Sequence, residues 1–197
     1  KKLSKPVLKG EFDSQKQLKL AHEIAKTFSY DFSRGRIDTV THPFCSGGGD
    51  DVRITTRVDN KDPFNCLYST IHEVGHACYE QNVSSDFLHS PLGSGVSLGI
   101  HESQSRIFEN QIGRSRQFTK WLFKKMKSYF GEFDINDEEE FYRLVNKVET
   151  GFIRTEADEV HYNLHIMLRF ELEVEVISKN LEVLDLPEAW NTKFKDY

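Results

Sequence analysis

Apolar residues recur along this chain with the period of a helix over most of its length. Across residues 14–29, Leu18, Ala21, Ile24, Ala25 and Phe28 fall on one stripe at i, i+3 and i+4 spacing, and Asp13 or Ser14 stands at the N-cap position. Between 37 and 58 the pattern changes. Val52, Ile54, Thr56 and Val58 alternate with Arg53, Thr55 and Arg57, which is the period of a strand. Gly47, Gly48 and Gly49 separate this run from the extended stretch 37–44, so the two are expected to form a hairpin around a flexible glycine loop. Asp59 to Pro63 then reads as a turn opening a helix that runs to about Val83, with Leu67, Ile71, Val74 and Cys78 on its apolar stripe. Pro91, Gly93, Gly95 and Gly99 make the following segment a loop. Further helices are expected at 100–112, 115–130 and 137–150. The longest is expected from about Glu156 to Ser178, and a last one starts at Pro187. The fold class is therefore mainly α with a small β-hairpin, in a single unit over 1–197.

Composition narrows the function. The 197 residues carry Lys+Arg 26 against Asp+Glu 31, a formal net charge of -5. No concentrated basic surface stands out, which argues against nucleic acid as a partner. With 38% hydrophobic residues the chain can bury a core. No apolar run approaches the ~20 residues of a membrane span, and no apolar stretch of a secretory signal follows Lys1 and Lys2. Cys45, Cys66 and Cys78 are too few and too irregular for a disulfide framework, so a reducing, cytoplasmic setting is expected.

The sharpest chemical feature is His72-Glu73-Val74-Gly75-His76, an H-E-x-x-H motif on the predicted helix 63–83. Chance places such a motif in roughly three chains per hundred of this composition. Four residues of helix turn through about 400°, so both imidazoles project from one face, as two ligands of one Zn²⁺ require. Glu73 lies one step round, within reach of a water at the metal and suited to act as general base. A third ligand is needed. Position 82 is Asn and position 79 is Tyr, which excludes the three-histidine H-E-x-x-H-x-x-G-x-x-H arrangement. Glu102, at the start of the next helix, is one candidate, in competition with Glu80, Asp86, His89, His101 and Glu109.

Five short motifs occur in order: His42-Pro43-Phe44, Asp51-Val52-Arg53-Ile54-Thr55, the H-E-x-x-H, His101-Glu102-Ser103-Gln104, and Ile153-Arg154-Thr155-Glu156-Ala157-Asp158-Glu159. Together they resemble the HPF, DxRxT, HExxH, HES/GQ and IRxxADE signatures of the M32 metallocarboxypeptidases, the thermostable carboxypeptidase Taq type. The resemblance implies a zincin-like helical metallopeptidase with the hairpin along its active-site groove. It implies His72, His76 and Glu102 as ligands of Zn²⁺, replaceable by Co²⁺ or another divalent metal, and Glu73 as general base. Arg53 and Arg154 match positions associated with the groove and with the substrate's terminal carboxylate, which a planar guanidinium can pair bidentately. His42 of HPF is implied in positioning the substrate or shaping the site. Peptides with a free C-terminus are the implied partners, and a homodimer is implied for the full-length enzyme. The family pattern continues with a GxxQDxHW motif that this chain lacks, and begins with a longer helical segment, so a fragment of a larger enzyme is expected.

Alternatives remain open at this level. The same zinc chemistry serves endopeptidases and aminopeptidases, although Arg53 and Arg154 point towards a carboxylate. A zinc-binding helical fragment without catalysis is the third reading. His161 and His165 form a second i, i+4 pair after Asp158, without the glutamate of the first, and are expected to be satisfied structurally. Arg53 also has a structural reading, sharing the exposed face of an edge strand with Arg57. Arg154 is expected at the start of a helix, where a cation opposes the dipole.

Overall fold

The computed structural model describes residues 8–197, and of Glu156 only the backbone. The chain divides into two compact units, the first ending at Val145 and the second running from Asn146 to Tyr197.

In the first unit, α1 (Ser14–Thr27) begins at Asp13, whose side chain accepts from the Lys16 backbone N–H. Its stripe Leu20, Ala21, Ile24 and Ala25 is completely buried. Three short strands follow: β1 (Ile37–Thr39), β2 (Cys45–Gly48) and β3 (Asp51–Thr56), in the order β1-β3-β2. The hairpin is therefore not the one the glycines suggested. It joins β2 to β3 antiparallel, with Cys45 opposite Ile54 and Gly48 opposite Asp51, so Gly47 and Gly48 lie in a strand. Gly47 takes φ +105 and Gly49 φ +59, which makes glycine apt at both. Residues 37–39 pair parallel on the other side of β3, which is thus a central strand. Val52 and Ile54 are buried against Val74, Ala77 and Cys78, and strand alternation turns Arg53 to the solvent face.

The helix α2 (Pro63–Gln81) runs through the middle of this unit. Asp62 caps it and Pro63 occupies its first turn, where the missing N–H costs nothing. Leu67 and Ile71 join one core cluster with Leu20, Ile24, Leu122 and Met126, whereas Val74 and Ala77 join the sheet cluster. Each fully buried aliphatic side chain contributes about 1.5–3 kcal/mol. After a loop containing two short 3₁₀ turns, α3 (Leu98–Arg106) lies alongside α2 and continues as a π-helical turn, Ile107–Ile112. The Tyr68 hydroxyl donates to the Gly113 carbonyl at 2.9 Å, with the Arg114 guanidinium over its ring, and so fastens the end of that segment to α2. Two helices, α4 (Arg116–Phe130) and α5 (Glu138–Val145), close the core. The predicted helix 137–150 thus ends five residues early, at Val145, and the predicted helix 100–112 changes its winding after Arg106.

The second unit holds α6 (Glu159–Ile177) and α7 (Leu186–Asp196), tied by Lys193 to Glu171 and by the Phe194 ring 5.6 Å from that of His165. At 19 residues α6 equals α2 rather than exceeding it. No helix among the described residues is long and apolar enough to cross a membrane.

Candidate metal centre

The site begins with a close approach of two helices. A Cβ at Gly75 would stand 2.6 Å from the Ser105 Cα, 2.8 Å from the Gln104 carbonyl oxygen and 3.0 Å from the Ser105 nitrogen. Only a residue without a side chain allows α3 to lie so near the middle of H-E-x-x-H. That proximity brings Glu102 against the histidines: its Oε2 is 3.7 Å from His72 Nε2 and 3.4 Å from His76 Nε2. Ligand atoms of His72, His76 and Glu102 all lie within 4.8 Å of one another, the one such group of His, Cys, Asp and Glu among the described residues. Two imidazoles and a carboxylate converging from two rigid helices form the donor set of an open tetrahedral zinc site, so the residues fit such an ion.

The charges around it are organised. Burial alone would raise the Glu102 carboxyl, but His76, His72 and Arg106 outweigh it and hold the group at about 2. Arg106 donates through Nε to Glu102 Oε1 at 3.0 Å and through Nη1 to Glu109 Oε2 at 3.0 Å. Burial lowers the His72 imidazole, yet contact with Glu109 and the nearby Glu73 and Glu102 raise it overall. Glu73 is almost fully buried. That burial pushes its carboxyl above the usual range, against the opposing pull of His72 and His76.

The remaining candidates for the third ligand fall elsewhere. Glu109 Oε2 sits 2.8 Å from His72 Nδ1, the ring nitrogen on the far side from Glu102. His101 Nδ1 is 2.6 Å from His76 Nδ1, and His101 Nε2 is 2.7 Å from Glu80 Oε1. Asp86 and His89 are exposed in the loop after α2. In the sequence Glu80, His101 and Glu109 stand only as rival ligands; the seven-residue spacing of Glu102 and Glu109 is the sign that both face α2.

Among the other sequence candidates, Arg53 is exposed and bidentate to Asp51, with Nε to Oδ1 at 2.8 Å and Nη2 to Oδ2 at 2.7 Å. His42 is exposed between β1 and β2. Arg154 belongs to the second unit. It lies in a 3₁₀ turn before α6, not at that helix's start, and its guanidinium donates to the Tyr162 hydroxyl. The N-terminus of α6 is capped instead by Asp158, whose carboxylate accepts from the backbone of Val160 and His161 and from His161 Nδ1 at 2.8 Å. His165 is buried, with Nε2 3.2 Å from the Gly151 carbonyl. Both members of the second histidine pair thus have partners within their own unit.

Comparison with known proteins bears on the family of the chain. Carboxypeptidase 1 of Bacillus subtilis is 42% identical over 191 residues, and thermostable carboxypeptidase 1 of Thermus thermophilus is 43% identical over 193. These alignments cover 94% and 97% of the chain, which spans about 38% of the length of either relative. Among solved structures, metallocarboxypeptidase 1 of Trypanosoma cruzi superposes with a TM-score of 0.94 at 39% identity, covering 100% of this chain and 39% of that one. The M32 carboxypeptidase of Deinococcus radiodurans gives 0.89 at 48% identity, covering 94% and 38%. The pattern of the Carboxypeptidase Taq (M32) metallopeptidase family matches residues 1–197, and the chain belongs to that family.

Proposed function

We propose that this protein is a zinc carboxypeptidase that removes C-terminal residues from peptides. The observation that carries the reading is the convergence of His72, His76 and Glu102 within 4.8 Å, beside the buried Glu73. Family membership and the names of the curated relatives support it. His72, His76 and Glu102 would hold Zn²⁺, with Co²⁺ accepted by the same donors. When bound, the ion supplies a Lewis acid for the scissile carbonyl and lowers the pKa of water at the site.

The chain's own groups do the rest. Glu73 takes a proton from the attacking water as its oxygen bonds to the carbonyl carbon. It hands that proton to the departing amine nitrogen as the C–N bond breaks. Burial makes Glu73 a stronger base than an exposed carboxylate, which suits this double role. Arg53 and Arg154 are each proposed as a partner for a substrate carboxylate, and His42 to position the substrate strand. Asp51 occupies the Nε–Nη2 edge of Arg53, so the carboxylate would meet the opposite edge.

The test compares a peptide acid with its C-terminally amidated twin, using the full-length protein. Losing a charge-assisted hydrogen bond costs about 1.5–3 kcal/mol, so the amide is expected to fall roughly ten- to a hundredfold in kcat/KM. Equal cleavage of the two would leave an endopeptidase in place of a carboxypeptidase.

A further inference from the structure

A neutral imidazole that offers Nε2 to a metal keeps its proton on Nδ1, and that proton needs an acceptor. Both histidines of the proposed site have one, and the two acceptors differ. Nδ1 of His72 faces a carboxylate directly, Glu109 Oε2 at 2.8 Å. Nδ1 of His76 faces another imidazole, His101 Nδ1 at 2.6 Å, whose Nε2 is 2.7 Å from Glu80 Oε1. If His76 gives its Nδ1 proton to His101, His101 must carry its own proton on Nε2. That is the nitrogen Glu80 faces. The chain His76–His101–Glu80 therefore has one consistent set of donors, and it ends, like the shorter chain from His72, on a carboxylate.

From this geometry we infer that Glu109 and the Glu80–His101 pair are positioning residues that fix the ring orientation and tautomer of His72 and His76. The inference rests on the metal-site reading above. Neither carboxylate is a loose surface group: the Glu109 and Glu80 side chains are 15% and 12% exposed. Arg106 Nη1 donates to Glu109 at 3.0 Å and Arg114 stands 3.7 Å away, so its charge is balanced where it sits. The loop before α3 closes over the other pair. A Cβ at Gly95 would stand 2.8 Å from both Glu80 Oε1 and the His101 ring, and the Tyr79 hydroxyl accepts from the Val96 N–H at 3.2 Å. The π-helical turn that carries Glu109 is itself a local departure of a kind that is frequent at functional sites.

The experiment measures the zinc dissociation constant of the full-length protein by competition with a chromophoric chelator, and the visible spectrum of the Co²⁺ form. Glu109→Ala, Glu80→Ala and His101→Ala are each expected to weaken zinc binding 10–100-fold and to alter the Co²⁺ bands, with little change in the melting temperature of the metal-free protein. Glu80→Ala and His101→Ala combined should cost no more than the worse of the two, because they act as one unit. Glu109→Gln and Glu80→Gln keep an acceptor oxygen and should restore most of the affinity. Should Glu109→Ala disturb the arginines beside it and fail to fold, the glutamine variant and the His101 arm still decide the matter. His76→Ala, which removes a ligand, serves as the reference. A wild type that binds no zinc would overturn the metal reading and this inference together. A wild type that binds zinc, a His76→Ala that does not, and positioning variants within twofold of wild type would overturn this inference alone.

Discussion

Replacing Gly75 by Ala tests whether the distance between α2 and α3 sets the geometry of the site. The added methyl would start 2.6 Å from the Ser105 Cα and 2.8 Å from the Gln104 carbonyl oxygen, against ordinary contacts of 3.4 Å or more. Both obstacles are backbone, so no side chain can swing aside, and α3 must recede. A retreat of about 0.8 Å is some four times the ±0.2 Å tolerance of a metal–ligand distance. Glu102 sits three residues before Ser105 on the same helix and has to move with it. Two opposing effects act on stability. Alanine inside a helix gains about 1 kcal/mol over glycine, while overpacking costs about 1–3 kcal/mol. The metal-free protein should therefore melt close to wild type, at most about 2 kcal/mol less stable, whereas zinc should bind at least tenfold more weakly. Chelator competition reads the affinity, and thermal unfolding of the metal-free form reads the stability. Adding Glu102→Ala to Gly75→Ala should cost less than it does in wild type, because the ligand is already displaced. A Gly75→Ala protein with wild-type affinity and an additive double variant would refute the reasoning.

Other outcomes follow from the same geometry. Glu73→Gln keeps the shape of the buried side chain but cannot accept a proton, so kcat should fall roughly 10²–10⁴-fold with zinc content unchanged; retained turnover would assign the base elsewhere. Arg154→Ala should shrink the preference for peptide acid over peptide amide, and Arg53→Ala should do so as well if its far edge meets the substrate. Tyr68→Phe leaves the Gly113 carbonyl without its donor and should destabilise the protein by about 1–2 kcal/mol in denaturant titration. Burial pushes the Cys45 thiol up to about 12 and those of Cys66 and Cys78 to about 11. The folded protein should therefore resist iodoacetamide at pH 8, and rapid labelling would contradict that burial.

What the sequence discloses and what it hides differ for physical reasons. The H-E-x-x-H spacing needs only helix geometry, so the convergence of His72 and His76 is legible from two residue positions. The motifs around it are local strings, and Glu102 is identified by one. Pairing between strands is not local. Residues 37–39 and the glycine-rich Cys45–Gly48 carry almost no alternation, so nothing in the string says which of them forms the hairpin with β3. The four-residue apolar stripe on α2 likewise understates its burial. Thr70, Glu73, Gly75 and Gln81 are buried too, since α1, α3 and the sheet surround that helix. Polar and small residues that are buried for contact or chemistry look, in a pattern, like solvent-facing ones. Glu80, His101 and Glu109 were visible as acids and a histidine near the motif, but their attachment to the outer nitrogens of His72 and His76 depends on the register of two packed helices. The sequence pattern puts Arg154 at a helix start, but one short 3₁₀ turn intervenes and Asp158 caps α6.

The most direct measurement is anomalous diffraction at the zinc edge from crystals of the full-length protein grown with the metal. The account predicts one strong peak bonded to His72 Nε2, His76 Nε2 and a Glu102 carboxylate oxygen, at the roughly 2.0–2.2 Å of zinc bonds. Glu109, His101 and Glu80 should remain on the outer ring nitrogens, and the fourth position should face Glu73. A peak held through Nδ1 of either histidine, a third ligand drawn from Glu80, His101 or Glu109, or no zinc at His72 and His76 would contradict it.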